Sequence, residues 1–469
     1  MATVEFDAGA HRQAITLTDG AAVLEYVEQP ATGEANARVE RALDAPLGLP
    51  PLRELAATLP AGRRRVVIAF DDPNRPLATI RTVLPAVLRH LNAAGVGDDD
   101  ITLVSANGMH PKFSREAFAA YLGADVLERF GDRLRNHDCE DVDDLVDLGT
   151  TEFGDVVQVN RQAVESDLLV YIGNVAVNIW GGYSGTGSVV GLAGVRGFAG
   201  HHGRQGIGHP DSCHGDPRAM LYQRRKRAVA AAIDRGRPRP VFYVEAMTDA
   251  RGVIDVFVGS ADGIRVSAWP EADRRFMRSS PTADVVIVGL APAFLYGPAH
   301  NPLIALTGVC FPLRLWRGQP LLRPGGVVIG VTDSRGVVDA LTHPGYEEAI
   351  AEFGLARSFE ALAKAGPRIG GDAALVARYR AGGAYHPWHP LWLFAEDEYG
   401  MTRAGAIIMA GAKPGMLWQR LGCVVAPTVG DALVHARDLV GTPAQIVALP
   451  TYWSRPRVAF QVAGEAQTQ

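Results

Sequence analysis

An alternation constrains this chain most: a short β-branched apolar run, a loop of acids, amides and prolines, then an amphipathic stretch. Residues 63–70 (RRRVVIAF) end in such a run and read as a buried strand. DDPNRP (71–76) interrupts it with loop chemistry. From 78 to 95, Ile80, Val83, Leu84, Val87, Leu88 and Leu91 recur at three- and four-residue spacing, which predicts a helix with one apolar face. ITLVSA (101–106) is the next strand and NGMHPK (107–112) the next loop, and Ser114 is placed to cap the helix REAFAAYLG. DVVQVN (155–160) and DLLVYIG (167–173) add strands, as expected of a largely parallel α/β sheet.

A glycine-rich stretch, 173–215, separates these strands from a helix expected at 217–234. Its RRKR cluster reads as a solvated face. PVFYVEAMT (240–248) and GVIDVFVGS (252–260) predict a hairpin, and the polar segment 271–282 is the best place for a domain boundary. A second α/β set follows: ADVVIVGL (283–290), GGVVIGVTD (325–333), GAIIMAG (405–411) and QIVALP (445–450). The expected fold class is α/β, with two α/β domains of largely parallel sheets. The domains are expected at 1–275 and 276–469, with the last segment returning to the first domain.

Composition narrows the functions. Lys plus Arg number 46 and Asp plus Glu 51, so no basic surface argues for nucleic acid. The four cysteines (Cys139, Cys213, Cys310, Cys423) are far apart, which argues against a disulfide scaffold or a zinc ribbon. No uncharged apolar run reaches the ~18 residues of a membrane span, and the N-terminus lacks a signal-peptide pattern. The expectation is a cytoplasmic protein with a small-molecule partner and no membrane or nucleic-acid partner.

Three strand-exit loops carry chemistry. In the first, Arg75 offers a planar fork for a carboxylate or phosphate and Asp72 an acceptor for a hydroxyl, although such a pair also stiffens a turn. In the second, His110 precedes Pro111 and can serve as a base near neutral pH; a lone histidine is more often structural. The third, GGYSGTGS, brings Ser184, Gly185, Gly187 and Ser188 into a nest of backbone amides suited to phosphate. His201, His202, His209, Cys213 and His214 follow as candidate nickel, zinc or copper ligands, at a spacing that matches no zinc framework. Nearer the C-terminus, His386 and His389 flank Trp388, and core packing of Trp388 and Trp392 accounts for that segment.

Together, DDPNRP, ANGMHPK and the GGYSGTGS segment resemble the lactate racemase family, whose members carry D-x-T-R-P-like and G-T-H-R-like loops and a P-H-x-x-x-G-F-S-G-G-x-K-like segment. The resemblance implies an isomerase that racemises or epimerises a 2-hydroxy acid, using a nickel-pincer nucleotide whose ring carbon accepts hydride while two histidines exchange the hydroxyl proton. It implies that Arg75 binds the substrate carboxylate, that Asp72 and Asn74 contact the cofactor, and that His110 is one acid/base histidine. It places Tyr296 in the substrate pocket and His201 or His202 on nickel.

Two positions depart from the pattern. Asn178 stands where the second histidine belongs, and an amide cannot act as a general base. Ser188 stands where a lysine would tether the cofactor, and a hydroxyl is a poorer nucleophile than an amine. The expectation is therefore a divergent enzyme that holds the nucleotide noncovalently, with His300 supplying the second base. The alternatives are one-sided redox or elimination on a hydroxy acid, or a noncatalytic binder of a nucleotide or hydroxy acid.

Overall fold

Parallel strands buried on both faces must be apolar throughout, and the runs VVIAFD, ITLVSA and LLVYIGN meet that condition. In the computed structural model, which describes residues 2–31, 33–60, 62, 64–72, 75–179, 182–185, 187–356, 359–442 and 444–463, they form the middle of a six-stranded sheet. Its order is Gly252–Gly259, Phe242–Asp249, Leu168–Asn174, Val66–Asp71, Ile101–Ala106, Leu134–Asn136, parallel except for the hairpin strand Gly252–Gly259. From Val66–Asp71 the chain first builds outward through Ile101–Ala106, then returns to add Leu168–Asn174 on the other side. The order therefore reverses between Asp71 and Asn174.

A second six-stranded sheet repeats the plan: Val424–Ala426, Ala406–Ala410, Leu322–Val331, Ala283–Gly289, Ile446–Leu449, Ala22–Val23, all parallel. Its order reverses between Gly289 and Leu449. Helix Pro302–Cys310, buried at every residue, packs against Leu322–Val331 and helix His389–Arg403.

Three expectations shift. Val156–Asn160 is a strand, but it pairs antiparallel with Leu145–Thr150 outside the main sheet; with only one face covered, its burial alternates. Segment 271–282 is no open linker: it ends helix Ala261–Phe276 and forms strand Met277–Ser280, where Arg275 is buried against Glu271. The first residues attach to the second sheet, with Asp7 N–H donating to Pro450 O (3.0 Å) and Ala22–Val23 lying beside Val447 and Ala448.

The helix expected at 217–234 spans Leu221–Arg235, and its RRKR cluster is only half solvated. Arg224 and Arg227 are exposed, whereas Arg225 and Lys226 are buried. Arg225 forks onto the fully buried Asp155, with Nη2 donating to Oδ1 at 2.6 Å and Nε to Oδ2 at 3.0 Å. Removing one member of such a pair strands a buried charge, so Asp155→Ala is expected to cost about 3–5 kcal/mol. A urea midpoint shifted down with unchanged slope is the expected result; an unmoved midpoint would contradict it.

Candidate active site

Open α/β sheets bind ligands beyond the carboxyl ends of their strands, where the strand order reverses. Both reversal points here open on one cavity of about 510 Å³. The first sheet lines it with Asp71, Arg75, Asn174, Asn178 and Glu245, and the second with Phe294, Tyr296, Trp453, Arg455 and Arg457. The segment after Leu449 reaches across, and Arg457 Nε donates to Val177 O at 3.0 Å.

Asp71 ties the first reversal point together. Tyr171 Oη donates to its Oδ1 at 2.6 Å and Asn174 Nδ2 to its Oδ2 at 3.1 Å. Burial raises the Asp71 carboxyl, and the nearby Arg75 opposes that rise. Desolvation lowers the Arg75 pKa, but Asp72 and Asp71 outweigh it and leave it raised. The guanidinium is therefore a fixed cation in the cavity wall.

A smaller adjoining space of about 80 Å³ is lined by Asp72, Arg75, His110, His202, Tyr296, His389, Trp392 and Glu396. Here Asp72, 4% exposed, accepts from His110 Nδ1, which orients the ring. The His110 ring packs edge-on against Tyr296, Tyr385 and His389, at centroid distances of 5.6, 5.5 and 5.3 Å. Its loop depends on Gly108: at φ +51, an added Cβ would lie 3.0 Å from Phe198 Cζ and 3.2 Å from Val190 O. Leu295, at φ 37, is the one non-glycine left-handed residue among those described, and this strained turn sets the neighbouring Tyr296 into both spaces.

The glycine segment behaves differently from expectation. Ser184, Gly185 and Gly187 line the larger cavity, but Gly185 N–H already donates to Glu245 Oε1 (2.8 Å) and Ser184 Oγ accepts from Trp269 Nε1 (2.9 Å). Ser188 lies outside the lining, its hydroxyl 2.7 Å from Tyr243 Oη. Much of the expected amide nest is thus spent inside the protein. Asn178 lines the larger cavity, away from His110, and Nδ2 donates to Ala176 O at 3.3 Å. Asn74 lies outside the described residues.

His201 and His202 are buried together, with Nδ1 atoms 2.5 Å apart. Burial lowers the His201 pKa to about 3 and that of His202 well below its ordinary value, so both rings are neutral. His201 Nε2 is buried with no hydrogen-bond partner among the described residues, and His202 lines the smaller space. Among the described residues no third His, Cys, Asp or Glu completes a metal cluster with them.

Residues 8–215 match the lactate racemase N-terminal domain. A lactate racemase of Thermoanaerobacterium thermosaccharolyticum is 24% identical over 300 residues, 62% of this chain and 64% of that protein. A lactate racemase of Lactiplantibacillus plantarum is 28% identical over 207 residues, 42% of this chain and 46% of that protein. The matched region thus spans roughly half to just under two thirds of these relatives' length. The lactate racemase apoprotein structure from T. thermosaccharolyticum superposes with a TM-score of 0.71 at 18% identity, covering 99% of this chain and all of that one. The N-terminal part of the chain thus matches the lactate racemase model, and the chain shares the fold of the lactate racemase apoprotein. A Thermotoga maritima protein shares the fold at a TM-score of 0.58 and 14% identity, covering 91% of this chain and 98% of its own.

Asp72, Arg75, His110 and Tyr296 come together around the smaller space, and His300 does not join them. His300 sits against the 332–337 turn, where Nδ1 accepts from Arg335 N–H (3.4 Å), and it lines neither space. The histidine that does reach His110 from the second half of the chain is His389. It opens helix His389–Arg403, with Pro390 in the first turn, and its Nδ1 lies 2.6 Å from Tyr346 Oη. Trp392, one turn on, hydrogen-bonds Met109 Sδ and lines the smaller space, so it is more than core packing. Sequence reading also missed Lys226, although a signal was present: Tyr222, Lys226, Val229 and Ile233 fall at helical spacing on one buried face.

Glu245 gives this site a pH signature. Burial pushes its carboxyl up to about 8, against the pull of the Gly185 N–H. In the unfolded chain it titrates near about 4.3. The fold therefore holds the proton more tightly, and this contribution is complete below the unfolded value and lost as pH rises toward 8. Glu245→Gln is expected to gain stability relative to wild type, on the order of a few kcal/mol, between about pH 5 and pH 8. Parallel curves of Tm against pH for the two proteins would contradict this.

Proposed function

We propose that this chain is a racemase or epimerase of a small 2-hydroxy acid, working with a noncovalently held nickel-pincer nucleotide. The observation that carries the proposal is the meeting of Asp72, Arg75, His110 and Tyr296 where both sheets reverse order. The division at about residues 275 and 276, with the site in the cleft between two domains, belongs to the same reading, as does a cytoplasmic location.

The residues present suit such a cofactor. A space of about 510 Å³ is in the range that takes a small cofactor, and Arg455 and Arg457 on its wall suit a phosphate. Asn178, Ser184, Gly185 and Gly187 would contact the nucleotide. His202, beside His201 Nε2, which has no hydrogen-bond partner among the described residues, would offer a neutral imidazole to nickel. When bound, that group supplies an acceptor for hydride from the substrate α-carbon.

The protein groups do the rest. Arg75 grips the carboxylate, and Tyr296, kept protonated by burial, donates to the substrate. His110, oriented by Asp72, takes the hydroxyl proton and returns it. Burial keeps His389 neutral, and it stands behind His110 as the second proton-exchanging ring.

Native mass spectrometry with metal analysis, on protein co-produced with the pincer-nucleotide biosynthetic enzymes, tests the cofactor assignment. Stoichiometric nickel and a nucleotide-sized mass lost on denaturation are expected. Bare protein would overturn the assignment.

A further inference from the structure

The chain carries four lysines among 46 basic residues: Lys112, Lys226, Lys364 and Lys413. Three have ordinary settings, Lys112 on Asp138 at 2.7 Å and Lys364 and Lys413 in solvent. Lys226 is different. It is 1% exposed, lines the larger cavity, and has Nζ 5.4 Å from the centre of the Tyr222 ring. Among the described residues it makes no salt bridge and no hydrogen bond. Its charged neighbour across the cavity wall is the cation Arg75.

A buried ammonium without an anion is expensive, and a nearby guanidinium makes it more so. Desolvation, then Arg75, pulls the Lys226 pKa well down, which leaves a free amine. An unprotonated amine beside a fixed cation is the arrangement that makes a lysine reactive toward carbonyl carbon. The same cation grips a carboxylate.

We infer that Lys226 forms an imine with 2-oxo acids whose carboxylate is held by Arg75, giving the cavity a carbonyl-capturing activity of its own. The nitrogen lone pair of Lys226 adds to the ketone carbon. The two protons lost by nitrogen go to the former carbonyl oxygen, which leaves as water as the C=N bond forms. No oxidant or reductant is consumed. The inference shares the Arg75 carboxylate anchor with the proposed function and needs neither nickel nor nucleotide.

The full-length protein without cofactor, incubated with pyruvate and cyanoborohydride, tests this. The expected product is one adduct at Lys226, heavier by pyruvic acid less one oxygen, with Lys364 and Lys413 serving as internal controls. Lys226→Arg should abolish the adduct while keeping a cation at the position. Arg75→Lys should slow trapping of pyruvate at least tenfold more than it slows trapping of acetone, which has no carboxylate. No adduct, an adduct spread over the exposed lysines, or an adduct surviving Lys226→Arg overturns the inference. Trapping in protein that never racemises a hydroxy acid supports Lys226 and counts only against the racemase reading.

Discussion

Arg75→Ala is expected to lower kcat/KM for the 2-hydroxy acid roughly three-hundredfold, mainly through KM. Truncating one partner of a buried, hydrogen-bonded charge pair costs about 2–5 kcal/mol, and the middle of that range gives this factor. The side chain also neutralises Asp71 and Asp72, so the variant should lose stability as well as affinity. Two further measurements separate these effects. Arg75→Lys keeps the charge but loses the fork, so it should recover stability better than activity. Added guanidinium ion should restore part of the activity of Arg75→Ala. A variant that folds with an unchanged KM would remove Arg75 from the substrate site.

His110→Ala should lower kcat by about 10²–10⁴-fold with little change in KM, the loss expected when a positioned general acid–base is removed. The ring packs against Tyr296, Tyr385 and His389, so the melting temperature must be read alongside. Asp72→Asn tests the orientation of the ring without removing it, because the amide is close to isosteric with the carboxylate that His110 contacts. It should cost less than His110→Ala and shift the pH profile of kcat/KM, which a purely structural role would leave in place. Full activity in His110→Ala would end its assignment as the base.

The central strands of both sheets were legible in the sequence because strands buried on both faces leave unbroken apolar runs, as in VVIAFD and VVIGV. The loops after them were legible because Asp72, Arg75 and His110 follow strand ends directly. What failed were readings that depend on partners distant in the chain. Lys226 sits in a charged cluster that looks solvated, and only its place on the face of Tyr222, Val229 and Ile233 marks it as buried. His389 and Trp392 are brought to the Met109–His110 loop by a helix from the second sheet, nearly 280 residues away, and no local spacing encodes that approach. Ser188 had the right position in the motif, but the hydroxyl of Tyr243 claims it.

The most direct test uses an enantiopure 2-hydroxy acid deuterated at the α-carbon, with protein co-produced with the pincer-nucleotide biosynthetic enzymes, followed by chiral separation and mass analysis. Inversion with the deuterium kept at that carbon is expected, because the hydrogen leaves and returns as hydride while only the hydroxyl proton passes through His110. Inversion accompanied by solvent hydrogen at the α-carbon, or no inversion of any hydroxy acid by protein shown to carry nickel and nucleotide, would contradict the proposed function.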